Sequence, residues 1–323
     1  MVSLNMVQAI NLALLQEMQK DTKVLLLGED IGVDGGVFRV TDGLYEKFGP
    51  KRVIDTPLAE SGIVGTAIGL ALSGLKPVAE IQFDGFIYPA FDQLISHAAR
   101  FRTRTRGNMS CPLVVRAPYG GGIRALEHHS ESMEALYMHT PGLKVVIPAT
   151  PKEAKGLLTS AIRDPDPVLF LEPKRIYRAI KEEVPEEEYT LPLGQAAITQ
   201  EGVDVTIIAY GAMLREVVAA QEKTKASCEI VNLRSIFPLD STTIINSVKK
   251  TGRCVIVHEG PRTGGVAAEI IARINEKALF ALKGPIKRVT GYDTIMPLYQ
   301  REKAYLPNAT KITHAIEEVM QYT

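Results

Sequence analysis

Glu60 is the residue where proton chemistry would start. It lies in DTPLAESGIVGTAIG, residues 55–69. Thr56, Pro57, Leu58 and Ala59 form a turn-like entry, and behind it Gly62, Gly65, Ala67, Gly69 and Ala71 interleave with Ile63, Val64, Ile68, Leu70 and Leu72. That pattern predicts a helix whose backbone packs closely against another surface. Two readings of the carboxylate are open. An acid at a helix start is favoured by the macrodipole and by free backbone N–H groups. A carboxylate with almost nothing polar beside it except Ser61 is also what an enzyme keeps for proton transfer.

His128, His129, Ser130 and Glu131 follow a glycine cluster at Gly120, Gly121 and Gly122. Paired loop histidines are commonly a hydrogen-bonded surface feature, whereas glycines let a backbone bend close to a ligand. Phe83, Phe86, Tyr88 and Phe91 offer aromatic faces near Gln82, with core packing as the plain alternative. Rival chemistries lose their usual support. The sequence has no G-x-G-x-x-G at a strand-to-helix turn, no G-x-x-x-x-G-K-[ST], no G-x-S-x-G and no H-E-x-x-H.

The elements that must position these residues alternate. Residues 5–20 carry helical spacing with Asn5 as a cap, and KVLLLGED reads as a buried strand ending in Gly28, Glu29 and Asp30. Thr41–Phe48 is predicted helical, then come the strand RVIDT, the Glu60 helix and the strand 77–83. DGFIYPAFDQLISHAARFRTRTRG begins as a loop and continues as a helix. PLVVRAP, LKVVIPA and PVLFLEP are further strands, with KEAKGLLTSAI a helix before the last. Continuous Val/Ile/Leu strands alternating with helices predict a parallel sheet in an α/β fold. The charged, proline-containing stretch 181–194 is the boundary candidate, and DVTIIAY, SCEIVNL, CVIVHEG and IKRVTG restart the rhythm beyond it. The expected division is 1–185, a linker at 186–200, and 201–323.

The bulk numbers exclude some classes. The 323 residues suit two domains of about 150 each. Lys+Arg and Asp+Glu are both 37, so no charge imbalance argues for nucleic acid or an anionic membrane, and association into an oligomer meets no net repulsion. Cys111, Cys228 and Cys254 are far apart with no C-x-x-C, which suggests neither a zinc site nor a disulfide framework. With no basic start before a long apolar run and no membrane-length apolar stretch, a cytoplasmic setting is expected.

The stretch DTPLAESGIVGTAIGLALSGLKPVAEIQF is similar to the β subunit of the thiamine-diphosphate-dependent 2-oxoacid dehydrogenases. LLLGEDIG, HHSES with HTPGLKVVIPATPKEAKGLL, PVLFLEPKRIYR and GYDTIMPL extend the resemblance over essentially the whole chain. It implies a transketolase-like pyrimidine-binding domain, a parallel sheet flanked by helices, followed by a smaller α/β transketolase C-terminal domain. It also implies that Glu60 hydrogen-bonds N1′ of the cofactor's aminopyrimidine, so that the 4′-imine becomes the internal base beside C2. By the same resemblance Leu58, Gln82 and Phe86 line the aminopyrimidine pocket, and His129 lies beside the substrate. Glu29 joins an acidic proton path between paired sites.

The family's diphosphate and magnesium motif, G-D-G with a later asparagine, is absent. The resemblance therefore implies that an α subunit supplies the diphosphate half and the magnesium, in an α2β2 heterotetramer. It further implies docking to the lipoyl acyltransferase core through that partner's subunit-binding domain. A structural potassium ion is expected near Leu113, Val114, Ala161, Asp164 and Asp166. The expected activity is oxidative decarboxylation of a 2-oxoacid with acyl transfer to lipoamide. EIQFDGFIYPAFDQ, EPKRIYRA and GYDT lean to the branched-chain substrate, with pyruvate next. Half of a split transketolase, or a non-catalytic subunit of the same fold, are the alternatives.

Overall fold

The computed structural model describes residues 1–322 and holds two main sheets. Asn5 caps the first helix, Met6–Lys20, through a reciprocal capping box with Gln8. Its buried face packs on the helix Pro151–Arg163, which Thr150 caps and which begins with proline at its first position.

The larger sheet has seven strands. In spatial order they are Ser235–Phe237, Lys144–Val146, Val168–Pro173, Val114–Tyr119, Lys76–Glu80, Val24–Gly28 and Val53–Asp55. All neighbours run parallel except Ser235–Phe237, which comes from the second half of the chain and lies antiparallel to Lys144–Val146. The five-stranded sheet is ordered Lys287–Val289, Cys254–Val257, Val205–Ala209, Cys228–Asn232 and Ala197–Gln200, with only the last antiparallel. The central strands are buried along their full length, as the uninterrupted apolar runs predicted. Val2–Leu4 pairs antiparallel with Glu182–Val184 in a small separate ribbon.

Several expectations shift. The helix expected over 41–48 is Leu44–Phe48 only, because Gly43 sits at its start with a left-handed backbone, φ 76°. Residues 84–107, expected as a loop running into a helix, are instead a succession of short turns. Asp84–Ala90 winds as a 3₁₀ helix with Pro89 inside it, a π turn covers Gln93–His97, and Phe101–Arg104 is a last short helix.

The stretch 181–194 is strapped to the first half of the chain. Lys155, buried, reaches the carbonyls of Pro185, Glu186 and Glu187 at 2.6, 3.1 and 2.8 Å, and the Ser160 hydroxyl donates to the Leu191 carbonyl at 2.6 Å. Among the described residues no helix is long and apolar enough to cross a membrane.

Candidate functional site

Parallel strands deliver their carboxyl ends to one edge, which is where α/β folds place ligands. Gly28 is in register with Asp55 on one side and with Glu80 on the other. The residues just past those positions, Glu29, Asp30, the 56–60 turn and Gln82, therefore converge without further design. Glu60 is the first residue of the helix Glu60–Leu72, so the helix-terminus reading is correct as geometry. Its carboxylate is half-buried rather than enclosed and makes no hydrogen bond among the described residues. Burial raises the Glu29 carboxyl above the usual carboxylate range, and the neighbouring charges of Asp30 and Glu60 raise it further. Gln82 Nε2 donates to Asp30 Oδ2 at 3.3 Å. Leu58 stands 70% exposed at the mouth.

The Glu60 helix buries Ile63, Val64, Ala67, Ile68 and Ala71. Its opposite face does not pack closely within the chain. A Cβ on Gly69 would meet nothing within 4 Å, and one on Gly62 only Ala59 Cβ at 3.6 Å. Gly65 looks onto Gln93.

The aromatic wall forms as a cluster. The ring centroids of Phe83 and Phe86 lie 5.7 Å apart, edge to face. His129 completes a triangle, 4.5 Å from Phe83 and 5.1 Å from Phe86, also edge-on. Its Nδ1 is buried with no hydrogen-bond partner among the described residues. His128 instead points outward beside Tyr88, at 6.3 Å. The structure therefore separates the histidine pair into one inward and one outward ring. Phe91 packs on Tyr137 away from this triangle, which is its core-packing alternative.

Of Leu113, Val114, Ala161, Asp164 and Asp166, the two carboxylates and the Leu113 and Ala161 carbonyls already meet the chain's own groups. Lys144 Nζ lies 2.7 and 2.6 Å from the two Asp164 oxygens, and Arg102 Nε lies 2.6 Å from Asp166 Oδ1. The Leu113 carbonyl accepts the Val168 N–H, and that of Ala161 accepts the Asp164 N–H. This donor set fits potassium poorly, because a bound ion would have to share both carboxylates with lysine and arginine. Among the described residues no group of three or more His, Cys, Asp or Glu is arranged to hold a metal.

Sequence reasoning passed over the buried polar residues beneath the wall. Arg116, 2% exposed, bridges Glu80 and Glu172: Nη1 to Glu80 Oε2 at 2.7 Å, Nε and Nη2 to Glu172 at 2.6 and 3.0 Å. Burial works against this guanidinium, yet Glu172 and then Glu80 hold its pKa above the ordinary value. Asp84, fully buried, has neither oxygen hydrogen-bonded among the described residues. Burial pushes its carboxyl well up, and the Lys174 ammonium opposes that. Lys174 in turn donates to the Gly120 carbonyl. Burial pushes Glu259 up to about 7, assisted by Glu134. The charged residue inside each apolar strand, such as Arg116 in PLVVRAP, was the available signal for the first network. Nothing local marks Glu259, which comes from the second half of the chain.

The family model of the transketolase pyrimidine-binding domain matches residues 2–180, and that of the transketolase C-terminal domain matches residues 194–312. The chain is 53% identical over 322 residues to the pyruvate dehydrogenase E1 component subunit beta of Acholeplasma laidlawii, covering 99% of this chain and 98% of that one. It is 49% identical to the subunit of the same name from Bacillus subtilis (strain 168), with 100% of each chain covered. Among solved structures, a split gene transketolase described as an inactive beta4 tetramer superposes with a TM-score of 0.81 over 99% of both chains. At 22% identity that likeness speaks for the fold alone. The branched-chain preference expected from the sequence finds no support in these relatives, whose name is that of the pyruvate enzyme.

Proposed function

Because this chain belongs to the family that joins a transketolase pyrimidine-binding domain to a transketolase C-terminal domain, we propose that it is the β subunit of a 2-oxoacid dehydrogenase acting on pyruvate. The observation that carries the reading is identity of 53% to a pyruvate dehydrogenase E1 β subunit along nearly the whole of both chains. The family assignment also supports the division of the chain near residues 186–200, with a pyrimidine-binding unit before it and a C-terminal unit after it.

The site fits the aminopyrimidine half of thiamine diphosphate. Glu60 offers a carboxylate free of protein hydrogen bonds, Gln82 a polar edge, and Phe86 and Leu58 apolar surface at an open rim. It does not fit the diphosphate half. The charged groups gathered at the mouth, Glu29, Asp30 and Glu60, are carboxylates that would repel it. A partner α chain bringing magnesium and the diphosphate-binding loop resolves the conflict, and the bare glycine face of the Glu60 helix offers that partner a close approach. When bound, thiamine diphosphate supplies the carbon nucleophile and electron sink for decarboxylation.

This chain's own residues then have three tasks. Glu60 would hold a proton at the cofactor's pyrimidine ring nitrogen, and closure of the open rim by the partner would remove competing water. Phe83 and Phe86 fix the plane of the His129 ring, leaving one edge for substrate. Glu29, already inclined to keep a proton, stands next to Glu60 as a relay. Acyl transfer to a lipoyl partner and docking of its core belong to the same proposal.

The test is co-expression with the matching α chain, then 2-oxoacid turnover with thiamine diphosphate and magnesium. The complex is expected to favour pyruvate over branched-chain 2-oxoacids. Glu60→Gln is expected to lower turnover by about 10²-fold or more with assembly intact. Full activity of this chain alone, or of the Glu60→Gln complex, refutes the proposal. A preference for sugar phosphates selects the transketolase alternative instead.

A further inference from the structure

The loop that carries His129 is held from the other half of the chain. Gly120 N–H donates to the Glu131 carbonyl at 2.7 Å and closes residues 120–131 into a compact lobe. Two carboxylates from far along the sequence grip its first turn. Glu259 Oε2 accepts the Gly121 N–H at 3.1 Å. Glu302 Oε1 accepts both the Gly122 N–H, at 2.7 Å, and the Arg124 N–H, at 3.1 Å. Both acids are buried, at 1% and 3% exposure. The glycines are required for this approach. Gly120 and Gly122 have φ of 82° and 97°, and a Cβ on Gly120 would overlap the Glu259 carboxylate. On the opposite side of the lobe, the His128 carbonyl presses onto Gly85, one residue before Phe86.

We propose that Glu302 and Glu259 are positioning residues of the candidate site: by gripping the backbone of residues 121–124 they hold the 120–131 lobe against Gly85, and so place His129 between Phe83 and Phe86. The lobe is long and rich in glycine, with few apolar anchors of its own, since Ile123 and Leu126 are exposed. Three hydrogen bonds to buried carboxyl oxygens restrain it on that side, and removing an acceptor leaves its backbone N–H unpaired. The second half of the chain therefore acts on the site through the backbone of this lobe. This proposal rests on the functional reading above only for the role of His129.

Amide hydrogen exchange on the full chain tests the grip without substrate. Glu302→Ala is expected to speed exchange across 120–131 by about tenfold or more. Glu302→Gln keeps an acceptor oxygen and is expected to stay near wild type. Helices 60–72 and 309–320 are expected to be unchanged in both, which controls for general loosening. Where the alanine variant does not fold, Glu302→Asp, which draws the acceptor back by one methylene, is expected to show a partial increase. In the complex with the α chain, Glu302→Ala is expected to lower kcat on the order of 10- to 100-fold with KM for thiamine diphosphate near wild type, and Glu302→Gln to restore it. Unchanged protection of 120–131 in the alanine or aspartate variant overturns the grip. A loosened lobe with unchanged kcat overturns its positioning role. A wild-type complex inactive on every 2-oxoacid refutes the functional reading alone, and the exchange arm still decides the grip.

Discussion

Replacing Arg116 by methionine tests whether the floor of the site is held by charge. Arg116 makes three hydrogen bonds of 2.6–3.0 Å to Glu80 and Glu172, and these acids are 6% and 0% exposed. Removing the cation leaves two carboxylates close together in the sheet, with the Tyr177 hydroxyl still donating to Glu172 at 2.6 Å. Breaking a buried ionic network in this way costs about 3–5 kcal/mol. An unfolding entropy of about 2.1 cal/mol/K per residue, over the residues 2–180 matched to the first domain, gives roughly 0.4 kcal/mol/K. The melting temperature at pH 7 should therefore fall by about 8–13 °C.

The pH dependence is the sharper part of that test. Burial already raises the Glu80 carboxyl from 4.5, Arg116 opposes the rise and Glu172 adds to it. Without Arg116 the acid should be raised further. A raised acid destabilises only where the unfolded chain has ionised, so the deficit should be full near neutrality and vanish as pH falls below about 4.5. Adding Glu80→Gln and Glu172→Gln should return much of the loss. Differential scanning calorimetry between pH 4.5 and 8 decides it. A fall below about 2 °C, or a deficit independent of pH, would refute the ionic account.

Two further outcomes follow from single contacts. A methyl group on Gly85 would collide with the His128 carbonyl oxygen, a backbone atom that cannot swing aside. Gly85→Ala should therefore displace His129 from Phe83 and Phe86 and cost about 1–3 kcal/mol, read by denaturant unfolding and by the exchange of residues 120–131. Unchanged values for both would show that the lobe is not pressed on Gly85. Glu259, raised from 4.5 to about 7, should make the wild-type chain lose stability as pH rises through that window. Glu259→Gln, which still accepts from Gly121, should then gain on wild type by up to about 1.4 kcal/mol per pH unit across it, and a flat difference would refute the shift.

The helices and strands were legible because each carries a local signature. Asn5 with Gln8, Thr150 followed by Pro151, and the buried run VLLLG need no distant partner to be read. Residues 84–107 were read as a loop running into a helix, and the 3₁₀ winding around Pro89 and the turn at Gln93–His97 were missed because they break a helical pattern that the side chains alone suggest. The edge strands Ala197–Gln200 and Ser235–Phe237 were missed for a different reason. They are short, and the second joins a sheet whose other strands come from the first half of the chain. The stretch 181–194 read only as a domain boundary because its restraints are lysine and serine side chains meeting carbonyl oxygens, which leave no periodicity.

By itself the sequence determined an acid, Glu60, at a helix start behind a parallel strand, together with the glycines and aromatics around it. These are local facts of residue type and spacing. The tertiary structure alone decided that Glu60 is half-buried at an open rim rather than enclosed, at the start of a helix whose Gly62 and Gly69 have open space beside them. It also decided that His129, and not His128, turns inward, and that carboxylates some 140 to 180 positions away along the chain hold its loop. Spacing can announce a helix or a strand, because backbone hydrogen bonds are local. It cannot announce which distant side chain will satisfy a glycine loop, because that pairing exists only once the two halves of the chain have packed.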